Sequence, residues 1–132
     1  MSSSEDDSKK IDFNKKELNL TNHDLTGRGL TGIINQGNTC YMNTMIQLLS
    51  NIPDLTLYFL NGLFRFDCNL ERPPKEYEMC REYFRVLCGL WEEPKYKITV
   101  IRPRSFKQVF AKHNSIFTGY NQHDCQEALS CL

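Results

Sequence analysis

Between Lys75 and Trp91 the residues Tyr77, Cys80, Phe84, Leu87, Cys88 and Trp91 recur at i, i+3, i+7, i+10, i+11 and i+14, with charged residues between them. This is the period of an α-helix with one apolar stripe. A helix of this kind gains most of its stability from the surface that covers its stripe, so the rest of the chain must supply that surface. The supply is also helical. Met42, Met45, Ile46 and Leu49 share a face and run into Asn51-Ile52-Pro53, which predicts a helix from about 40 to 51. Pro53 at a first-turn position opens a short second helix that Asn61-Gly62 closes.

Residues 65–74 read as loop, and the β-branched run at 96–101 as an extended segment. Pro103 then opens a helix with Phe106, Val109, Phe110 and His113 on one face. In the last stretch, Asn121 reads as an N-cap with Asp124 three residues on, resembling a capping box, followed by a stripe of Cys125, Ala128, Leu129 and Leu132. The class these patterns give is mostly α. The final stripe meets no Gly, Asn or basic last turn before Leu132, which gives the expectation of a truncated chain.

At the other end, residues 1–26 are expected to be a flexible polar tail. The first 16 residues offer only Ile11 and Phe13 as apolar anchors, too few to offset the entropy cost of ordering. The segment after them, with its turn formers Asn22, Gly27, Gly29 and Gly32, reads as irregular chain leading into a domain at 27–132.

Sixteen basic residues balance sixteen acidic ones, so net charge gives no reason to expect a nucleic acid or a membrane surface as partner. No apolar run approaches the roughly 18 residues that would span a bilayer. The acidic opening lacks the apolar core of a secretory signal, which points to the cytoplasm or nucleus. The six cysteines, at 40, 68, 80, 88, 125 and 131, are widely and irregularly spaced and form no C-x-x-C pair. Free thiols are therefore expected, with no disulfide framework and no metal or cofactor site. Cys80, Cys88 and Cys125 read as core packing and Cys131 as outward-facing.

Cys40 is set differently. It follows Gly37-Asn38-Thr39 at the start of the first long helix, where unpaired N–H groups and the positive end of the dipole favour a thiolate. Gly37 lets the backbone approach a substrate closely, and Asn35 is placed to aim an amide N–H at the oxyanion of an attacked carbonyl. From the residues alone, a nucleophile and a buried structural thiol both remain open.

"GIINQGNTCYMNTMIQLL" closely resembles the cysteine box of the ubiquitin-specific proteases, the papain-like cysteine deubiquitinases. "GYNQHDCQEAL" is similar to the glutamine-glutamine-aspartate box that follows it in that family. The resemblance covers roughly residues 28–132. It implies the helical thumb part of a domain that is α+β when complete, with Cys40 as nucleophile and Asn35 as oxyanion donor. Gln122, Asp124 and Gln126 match the second box, which lies beside the channel for ubiquitin's C-terminal tail, and Asp124 is the candidate to pair with an arginine of that tail. Capping of its own helix is the alternative role for Asp124.

Implied too are ubiquitin and ubiquitinated proteins as partners, and hydrolysis of thioester, ester, amide and isopeptide bonds at ubiquitin's C-terminal glycine. Thr44 departs from the family's serine and His123 from its commoner glutamine. The larger departure is the general base. None of His23, His113 and His123 has the context of the family's histidine box, which with its acidic partner is expected beyond residue 132. A rival reading is a catalytically inactive ubiquitin-binding or scaffold fragment.

Overall fold

Tyr41, Met42, Met45 and Ile46 fill one side of the first long helix, and all four are buried. In the computed structural model, which describes residues 19–68, 71–91 and 100–132, this helix is α2 (Cys40–Ser50), preceded by a short α1 (Asn22–Leu25). It is followed by α3 (Pro53–Leu60), α4 (Phe64–Asp67), α5 (Glu78–Trp91), α6 (Arg104–His113) and α7 (Cys125–Cys131). Single 3-10 turns occupy Pro74–Glu76 and Ser115–Phe117. The expected helices at 40–51 and 53–60 are present, and the class is mostly α.

α2 is the hub of the packing, lying against α3 on one side and α7 on the other, while α5 packs on α3 and α6. Phe106 and Phe110 of α6 are fully buried and pass the core on to Phe117, whose ring stacks on Tyr41 at 5.4 Å. Burying side chains of this size contributes roughly 1.5–3 kcal/mol each, which explains why one helix presents both its large aromatics inward.

The long helix differs from its predicted stripe. Tyr83, Val86, Leu87 and Leu90 are buried, at i, i+3, i+4 and i+7, so Leu87 is the one member of the expected set that is fully enclosed. Cys80 is exposed, and Cys88 and Trp91 are half-buried. The reason is that α5 carries apolar residues on two adjoining stripes. The stripe facing α3 and α6 takes the core, while on the other Phe84 meets Phe64 (5.1 Å) and the Trp91 ring meets Gly29. Gly29 has φ +76, and a Cβ there would stand 2.7 Å from the indole, so no side chain fits between.

Two further expectations are corrected. The start of the predicted loop at 65–74 belongs to α4, because Phe64 stacks on Phe59 at 5.0 Å and holds that turn against α3. Gly32, read as the end of an irregular segment, forms β1 with Ile33 and pairs in parallel with β2 (Val100–Ile101), Gly32 opposite Val100 and Ile33 opposite Ile101. Residues 96–99 of the predicted extended segment, and 1–18 of the predicted tail, lie outside the described residues.

Residues 19–26, assigned to that tail, dock on the domain. The Leu20 amide donates to Asn61 Oδ1 (2.7 Å), and Asn61 Nδ2 donates back to the Leu20 carbonyl (3.0 Å). Asp24 Oδ2 accepts from the Thr21 amide (2.7 Å), closing α1 from its own first turn.

α5 and α6 are also clamped by charge. Glu78 Oε1 accepts from Lys112 Nζ and lies against His113 Nε2, both at 3.0 Å. Partial burial alone would raise the Glu78 pKa, but the hydrogen bonds and charges of Lys112 and His113 outweigh it and hold the carboxyl below its ordinary value. A depressed carboxyl contributes stability that is fully present above the unfolded pKa and is lost as pH falls through the folded one. Glu78→Gln is therefore expected to destabilise the protein by about 0.5–1 kcal/mol at neutral pH, since Lys112 is largely exposed. The gap to the parent should close in acid, read as thermal midpoints across pH. An equal loss at every pH would contradict the clamp.

Candidate active site

The loop before α2 is organised around two side chains. Asn35 Oδ1 accepts from the Gly37 amide (2.9 Å), the Thr39 amide (3.2 Å) and Thr39 Oγ1 (3.3 Å). Thr39 Oγ1 in turn accepts from the Gln36 amide (2.8 Å), and Thr39 is 0% exposed. Together these bonds wrap the backbone of residues 35–39 into a tight turn and deliver the chain into α2 at Cys40. The turn needs left-handed backbone at two successive positions, Gly37 (φ +94) and Asn38 (φ +52). Glycine takes this region freely, and asparagine is among the few side chains that tolerate it.

Cys40 occupies the first helical position of α2 and is exposed, while its neighbours Thr39 and Tyr41 are buried. It is thus the point where the buried helix start reaches the surface. Asn35 lies five residues earlier with its carbonyl oxygen committed to the turn, which leaves the amide nitrogen as its donor end.

The second box abuts this loop. Asn38 Nδ2 donates to the Tyr120 carbonyl (2.7 Å), and the Tyr120 ring covers Gly37 so closely that a Cβ there would lie 2.9 Å from Cδ1. Lys107 Nζ sits 4.7 Å over the same ring and donates to the Gly119 carbonyl (2.9 Å). His123 sets its ring edge against Tyr41 (5.1 Å) and Phe117 (4.9 Å). Residues more than eighty positions apart in the chain therefore meet within one turn of Cys40.

Asn121 does not cap the last helix. Asp124 is the N-cap of α7, its Oδ1 accepting from the Gln126 amide (2.7 Å) and the Glu127 amide (3.2 Å). The cap falls three residues later than expected because Asp124 has the extended backbone (φ -83, ψ 133) that a cap requires. Capping uses one carboxylate oxygen and leaves Oδ2 outside those two bonds. Gln122, Asp124 and Gln126 are all exposed around this helix start. Of the expected α7 stripe, Ala128 is buried and Cys125 half-buried, whereas Leu129 and Leu132 remain exposed.

Sequence reasoning missed Thr39, Asn43 and Tyr120 as parts of the site. Asn43 Nδ2 donates to the Ile34 carbonyl (3.3 Å) and so ties α2 to the segment after β1. Gln36 Nε2, Asn43 Oδ1 and His123 Nε2 are buried atoms without a hydrogen-bond partner among the described residues. Such atoms are uncommon in folded proteins, and here three surround one loop. Only the Gly-Asn dipeptide carried a signal for the turn. None of the three imidazoles stands as an evident base for Cys40: His23 is in α1, His113 is held by Glu78, and His123 is edge-packed.

The Cys40 thiol is thus exposed at the start of α2, on a turn with two left-handed residues and beside a segment from more than eighty positions further on. The family model for ubiquitin carboxyl-terminal hydrolase matches residues 31–132, and the chain belongs to that family. It is 40% identical over 105 residues to ubiquitin carboxyl-terminal hydrolase 15 of Xenopus tropicalis, covering 79% of this chain and 10% of that protein. The human protein of the same name matches at the same identity and coverage. The bovine one is 39% identical, over 79% of this chain and 11% of its own length. The chain thus spans about a tenth of the curated relatives it matches.

Gly37→Ala tests the loop. It places a side chain at φ +94 and pushes a Cβ into the Tyr120 ring, so a loss of about 1–3 kcal/mol is expected in denaturant unfolding. Pairing it with Tyr120→Ala should recover the steric part and leave the backbone part. A wild-type midpoint for Gly37→Ala would show that the turn is not held as described.

Proposed function

We propose that this chain is the nucleophile-bearing part of a thiol-dependent deubiquitinase, acting on thioester, ester, amide and isopeptide bonds at the C-terminal glycine of ubiquitin. The observation that carries the reading is the exposed Cys40 at the first position of α2, with the glutamine-glutamine-aspartate segment packed against its loop.

In this reading the Cys40 thiolate attacks the glycine carbonyl carbon, and the carbonyl electron pair moves onto oxygen. Asn35, through its amide nitrogen, donates to that oxyanion. Its carbonyl end is already bound by Gly37 and Thr39, so the amide is held in place before the substrate arrives, and preorganised donors of this type account for much of an enzyme's rate. Collapse of the oxyanion expels the leaving amine, which takes a proton from a general acid. Water then attacks the Cys40 thioester and releases the free carboxylate. The proton-transferring histidine comes from outside these 132 residues, because His23, His113 and His123 are each placed for other contacts.

Substrate selection falls to the second box. The extended C-terminal tail of ubiquitin runs beside the start of α7, where Asp124 offers Oδ2 to an arginine while Oδ1 keeps the cap, and Gln122 and Gln126 offer amide groups to the tail's backbone. Ubiquitin and ubiquitinated proteins are the partners, in the cytoplasm or nucleus, with no metal or cofactor required for this chemistry.

The test uses a protein in which this chain is continued by the rest of the family's domain, with a fluorogenic ubiquitin C-terminal amide as substrate. Cys40→Ala should abolish turnover. Asn35→Ala should lower kcat by roughly 10²–10³-fold if its amide holds the oxyanion. Asp124→Asn should raise KM more than it lowers kcat. Undiminished turnover by Cys40→Ala would overturn the reading, and ubiquitin binding without any turnover in the parent would support the alternative of an inactive ubiquitin-binding fragment.

A further inference from the structure

Lys107 is a half-buried side chain of α6, and both of its partners belong to the second box. Its Nζ donates to the Gly119 carbonyl (2.9 Å) and stands 4.7 Å from the centre of the Tyr120 ring. Among the described residues its ammonium meets no carboxylate, so its charge is directed at this one segment. The helix that carries it is anchored, because Phe106 and Phe110 on either side of Lys107 in the chain are fully buried.

The segment that Lys107 grips lies on the turn before Cys40. Two successive carbonyls are held, Gly119 by Lys107 and Tyr120 by Asn38 Nδ2 (2.7 Å). The Tyr120 ring is 69% exposed, so core packing does not hold it, whereas a cation over an aromatic ring is attracted by the ring's quadrupole. That ring lies against Gly37, and the Gly37 amide donates to Asn35 Oδ1 (2.9 Å). Contacts therefore run without a break from the Lys107 ammonium to the Asn35 side chain.

We infer that Lys107 is a positioning residue for the oxyanion donor: through the Tyr120 ring it keeps the Gly37 amide on Asn35 Oδ1 and so fixes where the Asn35 amide nitrogen points. The inference rests on the oxyanion role proposed for Asn35. Two backbone amides orient the Asn35 carboxamide, those of Gly37 and Thr39. Thr39 is fixed by its own burial, but Gly37 is exposed and depends on what lies over it. Without Lys107 the donor is still present and only its aim is loosened, so the loss must be smaller than that of Asn35→Ala.

The test measures kcat and KM on a fluorogenic ubiquitin C-terminal amide, with the protein that continues this chain through the rest of the domain. Lys107→Met keeps the aliphatic stem and removes the ammonium; it should lower kcat roughly 3–10-fold at unchanged KM, and Lys107→Arg should recover the rate. In an Asn35→Ala background Lys107→Met should cost nothing further, since the group it positions is gone. A charge acting at long range would cost the same with or without Asn35, and a role in holding ubiquitin's tail would move KM. Either result overturns the inference, as does full kcat in Lys107→Met or in Asn35→Ala. The 15N–1H signal of the Gly37 amide gives a readout free of turnover, expected to shift in Lys107→Met and to return in Lys107→Arg; an unmoved signal also overturns the inference. All these failures leave Cys40 as nucleophile, whereas undiminished turnover by Cys40→Ala, run alongside, overturns that reading and the inference with it.

Discussion

The hydrogen bonds that converge on Asn35 Oδ1 and Thr39 Oγ1 are the constraint on which the site depends. Four backbone and side-chain donors in a five-residue turn are satisfied within that turn. Unmet donors at a helix start cost stability, and Thr39, though it makes no side-chain cap to α2, is buried under the turn that leads into it. Under the proposed function this rigidity has a chemical use. A nucleophile must be held near its target within fractions of an ångström, and a loop that closes on itself does this better than one that waits for substrate.

The same loop explains why two segments more than eighty residues apart meet. Gly37 presents bare backbone, and Tyr120 lies on it; Asn38, in the left-handed conformation, turns its amide outward to the Tyr120 carbonyl. His123 and Phe117 then close on Tyr41, the residue after Cys40. The start of α7, with Gln122, Asp124 and Gln126, is positioned by contacts to the very residues that position Cys40. The two boxes thus share packed side chains.

Much of this was legible in the chain. The α2 and α3 boundaries followed from periodicity and from Pro53, and α6 from Pro103 and its phenylalanines, because these signals act within a few residues. The stripe of α5 was not, since two adjoining apolar stripes are present and only the neighbours α3 and α6 decide which one is buried. β1 was hidden for the same reason: two residues at Gly32–Ile33 carry no period, and pair only because Val100–Ile101 is brought alongside. The cap at Asp124 was misplaced by three residues because Asn121 and Asp124 are both good caps and backbone conformation chooses between them. At the site, Cys40 stood out by its local setting and by resemblance to the cysteine box, whereas Tyr120 and Thr39 act through burial and long-range contact that no local pattern encodes.

The most direct test of Cys40 as the nucleophile uses ubiquitin carrying a vinyl sulfone in place of its C-terminal carboxylate, added to the protein that continues this chain through the rest of the domain. The adduct is then mapped to a residue by peptide mass spectrometry. The account predicts one ubiquitin per protein, bonded to Cys40, and no adduct with ubiquitin lacking the electrophile. Bonding to any of the other five cysteines, or no adduct in a protein that binds ubiquitin, would contradict it.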